Sequence, residues 1–286
     1  DNLWDAGIGD IAVNISELTA LSISEPGARF RVHKGPASIM YFELEKKQAG
    51  FTEKLSGSKI SSKIGDRSEL SVNYFKGDEE KTDLSVLRSA EKKEIISVSG
   101  THKIENLFIQ GEYAGSRFDD GSGEKNDKAW WVNSRLRKEK LYIDTEYIDA
   151  GPDYPGRRKD NAGHRAYLSY NLFKPLWAWV HNQKLRTNLK NDPAKSTDNT
   201  DRIELGSSLS VKELPSLSLS YQINNSKSEK AGALLSDAEE KSVVFRSHKA
   251  LGNFSASFDS KWSDNKDDIK LTNTKTSEYT TRLYER

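Results

Sequence analysis

Five histidines stand at positions 33, 102, 164, 181 and 248, and none forms the HxH or HExxH spacing that sets two imidazoles on one metal. The run Asp264-Asn265-Lys266-Asp267-Asp268 offers oxygens suited to Ca²⁺. It lacks the alternate-position ligands of an EF-hand loop, so it reads as a solvated turn. Gly121-Ser122-Gly123 is followed by Glu124-Lys125, without the Lys-Ser/Thr ending that a phosphate-cradling loop needs, and reads as a loop tip. Neither a G-x-S-x-G elbow nor a cysteine occurs, which removes that serine nucleophile, thiolate ligands and disulfides. Carboxylates are too numerous for any pair to stand out as a glycosidase acid and base. The sequence therefore predicts no enzyme, no metal site and no cofactor.

Charge placed in alternation is more informative. Arg135 and Arg137 share one face of a segment, Asp144 and Glu146 one face of the next, and Arg165 the same face of the one after. Glu112 precedes them on that face, and Arg202, Glu204, Arg246, Asp259 and Lys261 follow. Opposite charges on neighbouring strands pair across a ladder and stiffen it. Charges lining a water-filled passage also bias which solutes enter. A wet wall needs both, and these residues are the candidate pore lining.

The elements that carry them alternate with period two. Ile203, Leu205, Leu209 and Val211 oppose Arg202, Glu204, Ser208 and Ser210. Leu217, Leu219, Tyr221 and Ile223 oppose a run of serines and Gln222, and Phe254, Ala256, Phe258 and Trp262 oppose Ser255, Ser257, Asp259 and Lys261. Short turns are expected near Gly35-Pro36, Gly65 to Arg67, Ile104 to Asn106, Arg137 to Lys140, Phe173 to Pro175, Glu213 to Pro215 and Leu251 to Asn253. Between them lie longer polar stretches: Gly77 to Lys92, Phe118 to Asp127, Ala150 to Gly163, Asn188 to Thr200 and Asn225 to Glu240. Two strands separate successive short turns, so short turns share one end and long loops the other. A spacing of roughly 35 residues also suits a helical repeat, but the period-two faces argue against helices.

Tyr113, Tyr147, Tyr221 and Trp262 sit where strands enter long loops, and Trp130 where one leaves; all are in phase with the apolar face. Such rings at one level form an interfacial girdle. Lys+Arg is 44 against 43 Asp+Glu, which gives no pull toward nucleic acid, and charged residues make up 30% against 35% apolar. That is thin for one dry core and suits a wet interior. No apolar run approaches the roughly 18–20 residues of a membrane helix.

The hairpins His164 to Thr187 and Asp201 to Asn224 resemble those of bacterial porin-like outer-membrane barrels. The resemblance implies an antiparallel up-and-down transmembrane β-barrel of about sixteen strands, with tight periplasmic turns and long extracellular loops, spanning 1–286 as one domain. It implies a channel for small hydrophilic solutes in the bacterial outer membrane, with lipid bilayer and lipopolysaccharide as surroundings and partner subunits or a second copy as further contacts. Arg157-Arg158-Lys159 is the loop cluster placed to meet anionic headgroups or sugars. Such barrels usually end on an aromatic residue, whereas this sequence ends Leu283-Tyr284-Glu285-Arg286. That departure predicts a segment of a larger export or assembly barrel as the alternative, with a surface β-protein binding glycan or protein as a third reading.

Overall fold

Alternation of serine, lysine and glutamate with valine, isoleucine and leucine leaves no helical stripe to bury, and the chain is extended nearly throughout. A computed structural model describes residues 2–19, 23–48, 50–81, 90–251 and 254–285. These form sixteen strands and no helix. The first eight are β1 (Asn2–Val13), β2 (Ile23–Lys34), β3 (Ala37–Gln48), β4 (Phe51–Ile64), β5 (Ser68–Lys81), β6 (Lys92–Ile104), β7 (Leu107–Asp119) and β8 (Glu124–Lys138). They continue as β9 (Leu141–Ala150), β10 (Asn161–Phe173), β11 (Leu176–Thr187), β12 (Ser196–Leu209), β13 (Ser216–Lys230), β14 (Ala233–Leu251), β15 (Phe254–Asp267) and β16 (Thr272–Glu285). Strand order in the sheet is sequence order, an antiparallel up-and-down meander.

The connections are tighter than composition suggests. The stretch 225–240, expected as a long loop, is a hairpin: β13 runs to Lys230, and Ala231 (φ 51°) and Gly232 (φ 77°) turn the chain into β14. Two consecutive positive φ values give the turn that matches strand twist. The error has a physical source. Serine, lysine and glutamate look like loop by composition, yet they extend a ladder whose backbone bonds do not depend on side-chain polarity. A bulge between Ser228 and Glu229 absorbs the mismatch. The 188–200 loop likewise shortens to 188–195. Of the expected 77–92 loop, residues 77–81 belong to β5, and 82–89 lie outside the described residues, as do Gly252 and Asn253 of an expected turn.

The chain forms two compact units, Asp1–Asn133 with Tyr147–Ala162, and Ser134–Glu146 with Gly163–Arg286. In unit 1 both faces of the sheet carry apolar residues. Ile39, Tyr41, Ile60, Val72, Ile96 and Val98 stand bare on one face. On the other, Met40, Phe42, Leu44, Leu55, Phe75 and Ile95 are buried in one cluster with Ile11, Val13, Ile15 and Leu18. In unit 2 one face is bare and apolar, with Leu168, Tyr170, Val180, Ile203, Leu205 and Leu219 exposed. The alternate residues there are largely polar.

The cover over unit 1 is its own first hairpin. β1 and β2 stay paired to Val13↔Ile23. β2 pairs β3 only from Gly27 to Lys34, so the hairpin tip lies beyond the β2–β3 ladder. It leaves the sheet where Gly9 (φ 116°) faces Gly27. A Cβ at Gly27 would stand 2.1 Å from the Glu43 carbonyl oxygen and 2.8 Å from Leu44 Cα. Both neighbours are backbone and cannot yield. Gly27→Ala is expected to destabilise the folded chain by about 1–3 kcal/mol through overpacking. Gly115→Ala, which meets nothing within 4 Å, serves as the neutral control. Urea unfolding of both variants checks this, and equal midpoints would overturn the departure point.

Candidate functional site

The hairpin tip, residues 14–19, brings polar backbone onto an apolar face, where each group needs a partner. Glu112 in β7 supplies most of them. Its carboxylate accepts from Ser16 Oγ at 2.6 Å, the Leu18 amide at 2.8 Å and Thr19 Oγ1 at 3.2 Å. Ser97 Oγ lies 3.1 Å from Thr19 Oγ1 and accepts from Asn73 Nδ2 at 3.0 Å. Lys59 Nζ donates to the Ile15 carbonyl at 3.0 Å. The Leu18 carbonyl accepts from the Tyr154 hydroxyl at 3.3 Å and the Arg157 amide at 3.1 Å. Burial first, then the Glu112 charge, push the Tyr154 hydroxyl pKa far up, so it stays a donor. Glu112 was expected to line a pore; only 5% exposed, it instead fastens this segment.

Unit 2 holds the other charged candidates on its polar face. Arg135 Nε lies 3.7 Å from Asp144, Arg165 Nη2 3.4 Å from Glu146, and Arg202 Nη2 donates to Glu204 at 2.9 Å. Lys261 pairs with Glu240, and Arg246 and Asp259 are register partners. Arg137 stacks its guanidinium over the Tyr142 ring at 5.5 Å.

Aromatic rings share that face, and sequence reasoning missed them. Tyr142 and Tyr167 are 6.0 Å apart, Tyr167 and His181 6.4 Å, Trp177 and Trp179 5.2 Å. Gly206 is the register partner of Trp179, and a Cβ there would stand 2.2 Å from the indole, so the missing side chain is the ring's seat. The signal was in the sequence: Trp177, Trp179, His181 and Gln183 alternate with Ala178, Val180 and Asn182. That phase sets both tryptophans beside polar residues.

The five aromatics expected at loop borders stand exposed on the bare apolar faces, Tyr113, Trp130 and Tyr147 in unit 1, Tyr221 and Trp262 in unit 2, but Tyr221 lies mid-strand because β13 runs on to Lys230. Trp130 and Tyr147 rings are 4.6 Å apart, and Trp262 Nε1 donates to the Tyr279 hydroxyl at 3.1 Å. Arg157 and Arg158 do not stand free in their loop; both reach Glu17 of the hairpin tip at 2.9 Å. Lys159 lies over Phe118, 4.9 Å from the ring centroid. Asp267 accepts from the Ile269 and Lys270 amides and closes its turn. Among the described residues no group of three or more metal-ligating side chains converges.

Glu112→Ala leaves three donors of one segment without their acceptor. A loss of about 2–3 kcal/mol is expected, the cost of orphaning buried donors on a charged partner. Glu124→Ala, which removes an exposed carboxylate 3.2 Å from Arg117, should change stability by under about 1 kcal/mol. Denaturant midpoints followed by tryptophan fluorescence decide it; a silent Glu112→Ala would mean that the carboxylate does not hold the tip. No protein-family model matches the chain and no curated protein sequence matches it, so a functional reading rests on this geometry.

Proposed function

We propose that the chain is an outer-membrane β-barrel channel that passes hydrophilic solutes along a charged and aromatic wall. The observation that carries the reading is the bare apolar face in each unit. Side chains such as Ile39, Ile96, Leu205 and Leu219 are about half exposed. Contiguous apolar surface on that scale suits lipid better than water. The exposed tyrosines and tryptophans supply the amphipathic rings an interface favours.

Barrel closure follows from the same premise. In lipid every backbone donor and acceptor needs a partner, and only a closed sheet provides them. β1 and β16 each have one described strand neighbour. An even number of up-and-down strands makes β1 and β16 antiparallel, the orientation that lets them pair. On this reading solutes follow the polar face of unit 2, because the second face of unit 1 is apolar and covered by the hairpin. Arginines and carboxylates there bind polar solutes, and the rings offer flat apolar patches between them.

The test is conductance of the purified, folded chain in planar bilayers. Discrete channels are expected, and Arg165→Gln with Arg202→Gln should move the reversal potential toward cation preference. A folded chain that inserts without conducting would sink the open-channel form. The alternative reading is that β1 and β16, the first and last strands of the meander, pair with further strands of a larger assembly. Heat-modifiable migration of the lone chain on SDS gels supports closure on itself; its absence, with oligomers after cross-linking, supports the larger assembly.

A further inference from the structure

Below the hairpin tip, toward the turn between β2 and β3, unit 1 contains a cavity of about 330 Å³. Asn14 of the hairpin contributes to its lining, and Arg31, His33, Lys59, Lys63 and Glu69 supply its titratable groups. Three permanent cations and an imidazole thus face one carboxylate. Among the described residues none of Arg31, Lys59 and Lys63 has an ion-pair partner, although nearby cations do: Arg29 with Asp5, Lys54 with Glu80, Lys76 with Asp78 and Lys93 with Glu53. Lys63 and Glu69 are register partners, yet no ion pair joins them. Positive charge outnumbers negative in this lining, in a recess where part of the surrounding water is replaced by protein. Such a recess concentrates anions.

We propose that this cavity binds a small multivalent oxyanion of the phosphate class. Its volume has room for a small anion. Arg31 in β2 offers a planar donor fork, and the two lysines offer compact charges from β4, on the far side of β3. Lys59 already spends one donor on the Ile15 carbonyl; an ammonium has three, so it holds hairpin and anion together. The seated hairpin is therefore one wall of the site. A lipid headgroup is the less suitable source of the same chemistry. The lining strands present Ile39 and Ile60 on their opposite, bare face, where a bilayer would lie. The site belongs to unit 1 and does not depend on whether the chain conducts.

Isothermal titration of the full folded chain in detergent with inorganic phosphate, chloride balancing ionic strength, tests it. One saturable site is expected. Lys63→Gln, an exposed position that bears no part of the hairpin's anchoring, should weaken binding about tenfold, as loss of one charge-assisted contact does. Arg31→Gln should do the same, and Lys212→Gln, in a turn of unit 2, should leave affinity unchanged. Absence of saturable binding, or equal weakening by Lys63→Gln and Lys212→Gln, would overturn the site. Reconstitution in phosphatidylcholine and in phosphatidylglycerol separates the two sources. Equal phosphate affinity in both supports a free anion, and loss of phosphate binding in the anionic lipid would reassign the pocket to a headgroup and overturn the proposal.

Discussion

A strand that is apolar on both faces needs protein over at least one of them if that surface is to leave water. β3 to β6 are in that position, with Ile39 and Tyr41 bare against Met40 and Phe42 buried, and Ile96 and Val98 bare against Ile95 buried. The rest of unit 1 follows from the need for a cover. The hairpin of β1 and β2 brings Ile11, Val13, Ile15 and Leu18 to that face, and full burial of each such side chain is worth about 1.5–3 kcal/mol. A net hydrogen bond is worth about 1 kcal/mol. Apolar burial therefore decides that the tip folds over, and the polar contacts decide where. Once the tip is there, Glu112, Lys59 and Tyr154 become necessary, because amides and carbonyls of residues 14–19 have left water.

Unit 2 meets the opposite requirement. Its polar alternate face carries ion pairs whose arginines are about 40–50% exposed at the side chain. Pairs this wet contribute little to stability, and the Trp177–Trp179 contact would serve stability better under a cover. A wall that keeps charged forks and aromatic rings accessible to water pays for that in stability and retains something to bind with. The two units thus differ along one meander: unit 1 covers its second apolar face with its own hairpin, and unit 2 has a polar second face. The modest apolar content of 35% is consistent with this, since unit 2 carries only one apolar face among its described residues.

How much of this could be read from the sequence follows from the range of each interaction. Strand phase is local, so the bare faces of Leu205, Leu219 and Tyr221 were legible, as were the cross-strand partners Arg135 and Asp144. Strand length was less so, because Asn225 to Glu240 differs in polarity from the segments with bare apolar faces while its backbone pairs just as well. The hairpin cover was not legible. Ile15 and Leu18 lie 97 and 94 residues from Glu112 in sequence, and no periodicity connects them; only Gly9 and Gly27, opposite each other in β1 and β2, hinted that the ladder bends. Reading Glu112 as wall lining had the phase right. What it lacked was the segment that lands on it.

The placement of positive charge obeys the same division. Arg31, Lys59 and Lys63 share a face with Met40 and Phe42, so they cannot point to the bare apolar side without putting ammonium and guanidinium groups against it. They line the recess between the hairpin's Asn14 and the turn that joins β2 to β3. Lys59 is the junction, with its stem along the sheet and its ammonium on the Ile15 carbonyl. A leucine at 59 would extend the apolar cluster but orphan that carbonyl and remove one of the three permanent charges from the recess. Hairpin and recess are therefore one construction. The carboxylate of Glu112 fixes the tip from one side, and the ammonium of Lys59 fixes it from the other while facing the charge-lined space below.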